Sequence, residues 1–96
     1  MKQAHVYILA SARNGTLYVG VTSQLVQRIW QHKNHVFEGF SQRYKVDQLV
    51  WFEPHESTEA AILREKQIKS GSRKRKLDLI ETMNPGWRDL YEDMLG

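Results

Sequence analysis

Two residues break the apolar pattern of this chain in places where a side chain should face the core. His32 falls inside the helical stripe of Leu25, Ile29 and Val36, with Arg28 four residues before it on the same face. Glu65 stands in the middle of a second stripe made by Ala61, Ile62 and Ile68. A charged group in a core stripe is costly unless a partner compensates it. The plain reading is a buried pair, for instance Arg28 with Glu65, but departures of this kind also collect where a chain does chemistry. Two tyrosines belong to the same question: Tyr7 and Tyr18, one in each of the apolar runs "HVYILA" and "LYVGVT". Together they offer proton transfer beside a fixed positive charge. An imidazole of unperturbed pKa ~6.5 accepts a proton at neutral pH, whereas a phenol near ~10 does so only if its surroundings lower it.

The elements that must position these groups follow from periodicity. Alternation around Asn14-Gly15 predicts a hairpin over residues 5–22. A loop centred on Asn14-Gly15 pairs Tyr7 with Thr22, Leu9 with Gly20 and Ser11 with Tyr18, so both tyrosines share one face. Val6, Ile8, Ala10, Leu17, Val19 and Val21 make the other face wholly apolar, and Gly20 clears space between the two rings. In this register the tyrosines stand roughly 13 Å apart at ~3.4 Å per residue. They would flank a cleft, unless a bulge draws them closer, and would not stack on one another. Ser23 is the expected cap of a helix from about Gln24 to His35, followed by a loop broken at Gly39. "LVWFEP", residues 49–54, predicts a third strand stopped by Pro54, and Ser57 or Thr58 caps a helix reaching about Lys69 and ended by Gly71. A third helix, Arg73 to Met83, brings in Leu77, Leu79 and Ile80; "NPGW" is a turn and "WRDLYEDML" a last helical segment.

With 96 residues, 41% of them hydrophobic and 26% charged, residues 1–96 are expected to form a single domain. The absence of cysteine excludes disulfides and thiolate metal sites. "HVYILA" is too short for a signal-peptide core, and no run could span a bilayer, so a cytoplasmic protein with no membrane partner is expected. The net charge of +3 points mildly to an anionic partner. Lys66, Lys69, Arg73, Lys74, Arg75 and Lys76 lie close together, as a phosphate-tracking surface or as a solvated helix face. His32 and His35 have a spacing that suits zinc, but no third ligand is evident. The three tryptophans are expected in the core, and Phe40, Arg43 and Tyr44 are better candidates for stacking on bases.

Tyr7 in "VYIL", Tyr18 in "LYVG" eleven residues later, and Arg28 and His32 in "QRIWQH" resemble the GIY-YIG nuclease superfamily. Glu65 in "LREKQIK" and Asn84 in "MNPGW" extend the match over nearly the whole chain. It looks closest to small stand-alone bacterial members, related to the nuclease domain of the bacterial excision-repair endonuclease. The name-giving triplets read "HVY" and "YVG" here, and Val21 stands where some relatives have a lysine.

The resemblance implies a small α/β fold, a three-stranded, mainly antiparallel sheet flanked by helices. It also implies an endonuclease that hydrolyses phosphodiester bonds, structure-specific and tied to repair or recombination, with DNA ahead of RNA as substrate. Glu65 would be the single protein ligand of a divalent ion, Mg2+ or Mn2+, which suffices for an ion that keeps its waters and borrows phosphate oxygens. Arg28 would contact the scissile phosphate through its planar fork. Tyr7 would be the general base, assisted by His32, with His32 itself as the other candidate. Tyr18 would position water or phosphate, and Asn84 would orient the site or simply serve its turn. Arg43 and the run Arg73, Lys74, Arg75 and Lys76 would bind nucleic acid. The rival reading is a nucleic-acid-binding or partner-binding module without activity on the same fold; a third has cleavage depend on a targeting protein partner.

Overall fold

The computed structural model describes residues 3–34, 36 and 43–95, so His35, Gly39 and Phe40 lie outside the described residues. Alternating side chains build β1 (Ala4–Ala10) and β2 (Leu17–Thr22), which pair antiparallel. Their register differs from the expected one by two residues: Tyr7 lies opposite Gly20 and Leu9 opposite Tyr18. The turn is the cause. Gly15 N–H donates to the Ala12 carbonyl at 2.9 Å, Ser11 N–H donates to Thr16 O at 3.0 Å, and Asn14 takes a φ of 58°. The chain therefore reverses over residues 12–15, one residue earlier than a loop centred on Asn14-Gly15 would do it. A slip of two keeps every side chain on its face, so the apolar face of Val6, Ile8, Ala10 and Val19 is buried as expected.

Strand β3 (Gln48–His55) pairs antiparallel with the other side of β1, giving the sheet order β2-β1-β3. Pro54 does not stop this strand, because β3 is an edge and a missing N–H on its outer side costs no ladder bond. A register shift opposite Ile8 and Leu9 explains why "LVWFEP" reads as apolar on both faces. Val50 and Trp51 join one core cluster, while Leu49 and Phe52 belong to the other.

Helices cover both faces. On one side lie α2 (Thr58–Ser70) and α3 (Arg73–Met83), which pack Ala61, Ile68 and Ile80 against Val6, Ile8 and Val19. Ser57 caps α2 by accepting from Ala60 N–H at 3.1 Å, and Gly71 closes it by donating to Ile68 O. Val21 packs against this same cluster. On the other side, α1 (Leu25–Lys33) and α4 (Tyr91–Leu95) pack Leu25, Ile29, Leu90 and Tyr91 against Tyr7, Leu9 and Leu49.

Ser23 is not the cap of α1. Gln24 occupies that position without a side-chain bond, and its N–H donates to Thr22 Oγ1 at 3.0 Å. The last helical segment is shorter than expected, because residues before Tyr91 are held by other bonds. Asp89 pairs with Lys33 of α1 and accepts from the N–H groups of Leu49 and Tyr91, which ties α1, β3 and α4 together. Among the described residues, no helix is long and apolar enough to cross a membrane.

Candidate functional site

The two-residue register change brings the tyrosines together. Their ring centroids are 6.3 Å apart and tilted at 35°. The separation of ~13 Å expected from a loop centred on Asn14-Gly15 is therefore wrong for this hairpin. The Tyr7 ring extends across Gly20, where an added Cβ would lie 2.5 Å from both Cζ and Oη. His32 on α1 completes the group: its ring centroid is 5.9 Å from that of Tyr7 and 5.4 Å from that of Tyr18. Tyr7 Oη and His32 Nε2 are hydrogen-bonded at 3.1 Å. That bond explains an imidazole inside an apolar stripe.

Both Tyr7 and His32 are neutral at pH 7. Burial lowers the His32 pKa to about 4, and the Arg28 charge adds to the effect. Burial also raises the Tyr7 pKa well above the usual phenol value, and Tyr18 and Glu65 push in the same direction. Arg28 opposes the rise without cancelling it. Both Arg28 and Glu65 are therefore close enough for their charge to act on the Tyr7 hydroxyl. The expected lowering of the Tyr7 pKa does not occur in the protein alone, because desolvation of a covered ring outweighs one guanidinium.

Glu65 lies on α2 and is largely covered, with its carboxylate 3.0 Å from Lys69 Nζ one turn on. Among the described residues it forms no ion pair with Arg28, so the plain buried-pair reading is set aside. Its oxygens are the kind a hard divalent cation takes, and among the described residues no group of three or more His, Cys, Asp or Glu could hold a metal. That donor set fits magnesium, which is commonly held by one or two carboxylates and completed by water and phosphate oxygens. It does not fit the four protein ligands of a structural zinc site.

The expectation of one open cleft is met only in part. Tyr7 is 1% exposed, so its hydroxyl is covered by the surrounding rings and strand rather than open to solvent. The adjoining groove is lined by Thr22, Ser23, Gln24, Gln27, Arg28 and Gln31. Arg28 is thus the residue shared between the ring cluster and this concave surface. Sequence reasoning missed the groove. Its signal was present in Gln24, Gln27 and Gln31, polar positions that recur along one side of α1 next to Arg28.

Several of the other expected site residues are engaged in holding the fold. Asn84 is buried, donating from Nδ2 to Val50 O at 3.2 Å and Arg88 O at 2.8 Å and accepting from Arg88 N–H at 3.0 Å. Its amide braces the turn after α3, and none of these bonds reaches the ring cluster. Arg73 donates to the carbonyls of Asn14 and Gly15 at 2.8 and 2.7 Å, clamping the hairpin turn. Lys74 pairs with Asp78 at 3.2 Å, and Lys76 donates to Gly71 O at 3.0 Å. Arg75 lines a groove between α2, α3 and β3. Arg43 is exposed, 5.8 Å from the centroid of the Tyr44 ring. Trp51 and Trp87 are core residues as expected, but Trp30 is 51% exposed on the outer side of α1.

A model of the GIY-YIG catalytic domain matches residues 3–78. UPF0213 protein SSP2268 of Staphylococcus saprophyticus is 32% identical over 80 residues, 83% of this chain and 96% of that one. UPF0213 protein HQ_3675A of Haloquadratum walsbyi is 30% identical over 81 residues, 84% of this chain and 91% of its own length. The solution NMR structure of UPF0213 protein BH0048 from Bacillus halodurans is similar in fold, with a TM-score of 0.56 and 25% identity, covering 91% of this chain and 92% of that one. With the domain model matched over most of its length and relatives of similar size aligned along most of both chains, this chain belongs to the GIY-YIG family.

Proposed function

We propose that the protein is a divalent-metal-dependent endonuclease that hydrolyses phosphodiester bonds, with DNA ahead of RNA as substrate. The observation that carries this reading is the 3.1 Å hydrogen bond between Tyr7 Oη and His32 Nε2, with the charges of Arg28 and Glu65 acting on the same hydroxyl. Arg28 binds the phosphate and offsets charge on its oxygens. Tyr7 takes a proton from the attacking water as its own proton passes to His32 Nε2, so the phenol never stands as a free phenolate in its covered site. The negative phosphate beside Arg28 weakens the charge that helps hold His32 below its usual pKa, which makes the imidazole a better acceptor once substrate is bound. Tyr18, against both rings, keeps them in register. Glu65 would hold the metal, which supplies charge relief for the phosphate and the leaving oxygen when bound.

The test is incubation with branched, flapped, single-stranded and duplex DNA and the matching RNAs, with magnesium or manganese and with chelator. Cleavage that chelator stops, and that Glu65→Gln and Tyr7→Phe each abolish while both variants stay folded, is the expected result. An active Glu65→Gln protein overturns the metal assignment. Binding without cleavage under every condition transfers the chain to the binding-module reading.

A further inference from the structure

The groove on α1 has a chemistry of its own. It encloses about 270 Å³ and is lined by Thr22, Ser23, Gln24, Gln27, Arg28 and Gln31. The carboxamides of Gln24, Gln27 and Gln31 make no hydrogen bond among the described residues, whereas other polar side chains of comparable exposure, such as Ser57 and Arg73, are engaged. Each free carboxamide presents one acceptor and two donors, the pattern that reads the edge of a nucleobase. On the helix wheel these residues lie between Arg28 and Trp30. Trp30, more than half exposed, offers a flat indole at the outer border of the row. Exposed aromatic faces beside hydrogen-bonding groups are how unstacked bases are held.

The geometry points to a nucleotide subsite: the α1 groove holds the nucleotide next to the scissile phosphate, with Gln27 and Gln31 reading its base edge and Trp30 stacking on it. This rests on the endonuclease reading for the place of the phosphate at Arg28, and on the groove alone for the base. The subsite gives the enzyme a preference at one flanking position on a strand whose base is free to leave the stack.

The experiment uses the full chain in chelator, so that no cutting intervenes, with labelled single-stranded octanucleotides of each base. Fluorescence anisotropy of the wild type is expected to show unequal affinities. The Gln27→Ala/Gln31→Ala variant, with unchanged thermal stability, is expected to lose about tenfold of that discrimination, the scale of one good amide–base pair. Binding should also quench tryptophan fluorescence, and Trp30→Phe should remove that quenching, because Trp51 and Trp87 are buried. Equal affinities in the wild type, or the same ratios in the double variant, overturn the subsite. A chain that discriminates bases in chelator but cuts nothing with metal keeps the subsite and loses the nuclease reading. One that cuts, with base ratios untouched by the double variant, does the reverse.

Discussion

Gly20→Ala tests the ring cluster through a single methyl group. Gly20 lies in an ordinary strand, so its role is space rather than backbone freedom. The new Cβ would meet Tyr7 Cζ and Oη at 2.5 Å, against about 3.5 Å for a comfortable carbon contact. The ring tip must therefore retreat by roughly 1 Å. It has little room to do so: Tyr7 is almost wholly covered and its hydroxyl is tied to His32. Overpacking of this kind costs about 1–3 kcal/mol. For a domain near 100 residues that is a drop in Tm of roughly 5–20 °C. A displacement of ~1 Å at a reacting group costs on the order of 100-fold in rate. Thermal unfolding by circular dichroism and single-turnover cleavage, the latter well below the lower Tm, measure the two effects. In a Tyr7→Ala background the stability penalty should vanish, since nothing remains for the methyl group to strike. The same penalty in both backgrounds, or a Gly20→Ala protein with wild-type Tm and rate, would refute the placement of the ring.

Three further outcomes follow from named bonds. His32 has a folded pKa of about 4 against an ordinary value of 6.5, so its neutral, hydrogen-bonded form supports the fold fully above pH 6.5, and that support is lost as pH falls toward 4. The loss is on the order of 3 kcal/mol, and His32→Gln should flatten that part of the stability–pH curve. Asn84→Ala strands two carbonyls and one N–H and should cost about 1–3 kcal/mol in urea denaturation, with the chemical step unchanged at temperatures where the variant is folded. Arg73→Gln should lower Tm slightly with little effect on the salt dependence of nucleic-acid binding, while Arg75→Gln should leave Tm alone and reduce that slope by about one.

What the sequence discloses and what it hides have a common cause. The two hairpin faces are legible because parity survives any even slip. Helix α3 is legible because Gly71 breaks the chain before it and Leu77, Leu79 and Ile80 mark its inner side. The distance between Tyr7 and Tyr18 is not, because it depends on which residue tops the turn, and the chain reverses one residue early. Glu65 and His32 stand out as breaks in an apolar stripe. Asn84 keeps two readings in one dimension, since a buried amide bracing three backbone groups and an amide serving a reaction look alike there. Trp30 is misplaced when residue size alone assigns it to the core, although its position on the wheel, beside Gln27 and Val26, puts it outside.

The sheet divides the interior into two clusters that do not share members, one under α2 and α3 and one under α1 and α4. The rings of the reaction cluster belong to the second. An engineer who wanted a hardier version could therefore refill the first, around Leu77, Leu79 and Ile80, leaving the tyrosines and the imidazole untouched. Helix α2 crosses this partition, contributing Ala61 and Ile68 to the first cluster and Glu65 to the surroundings of Tyr7. Heat-resistant variants should accumulate their changes on α3 and spare α2.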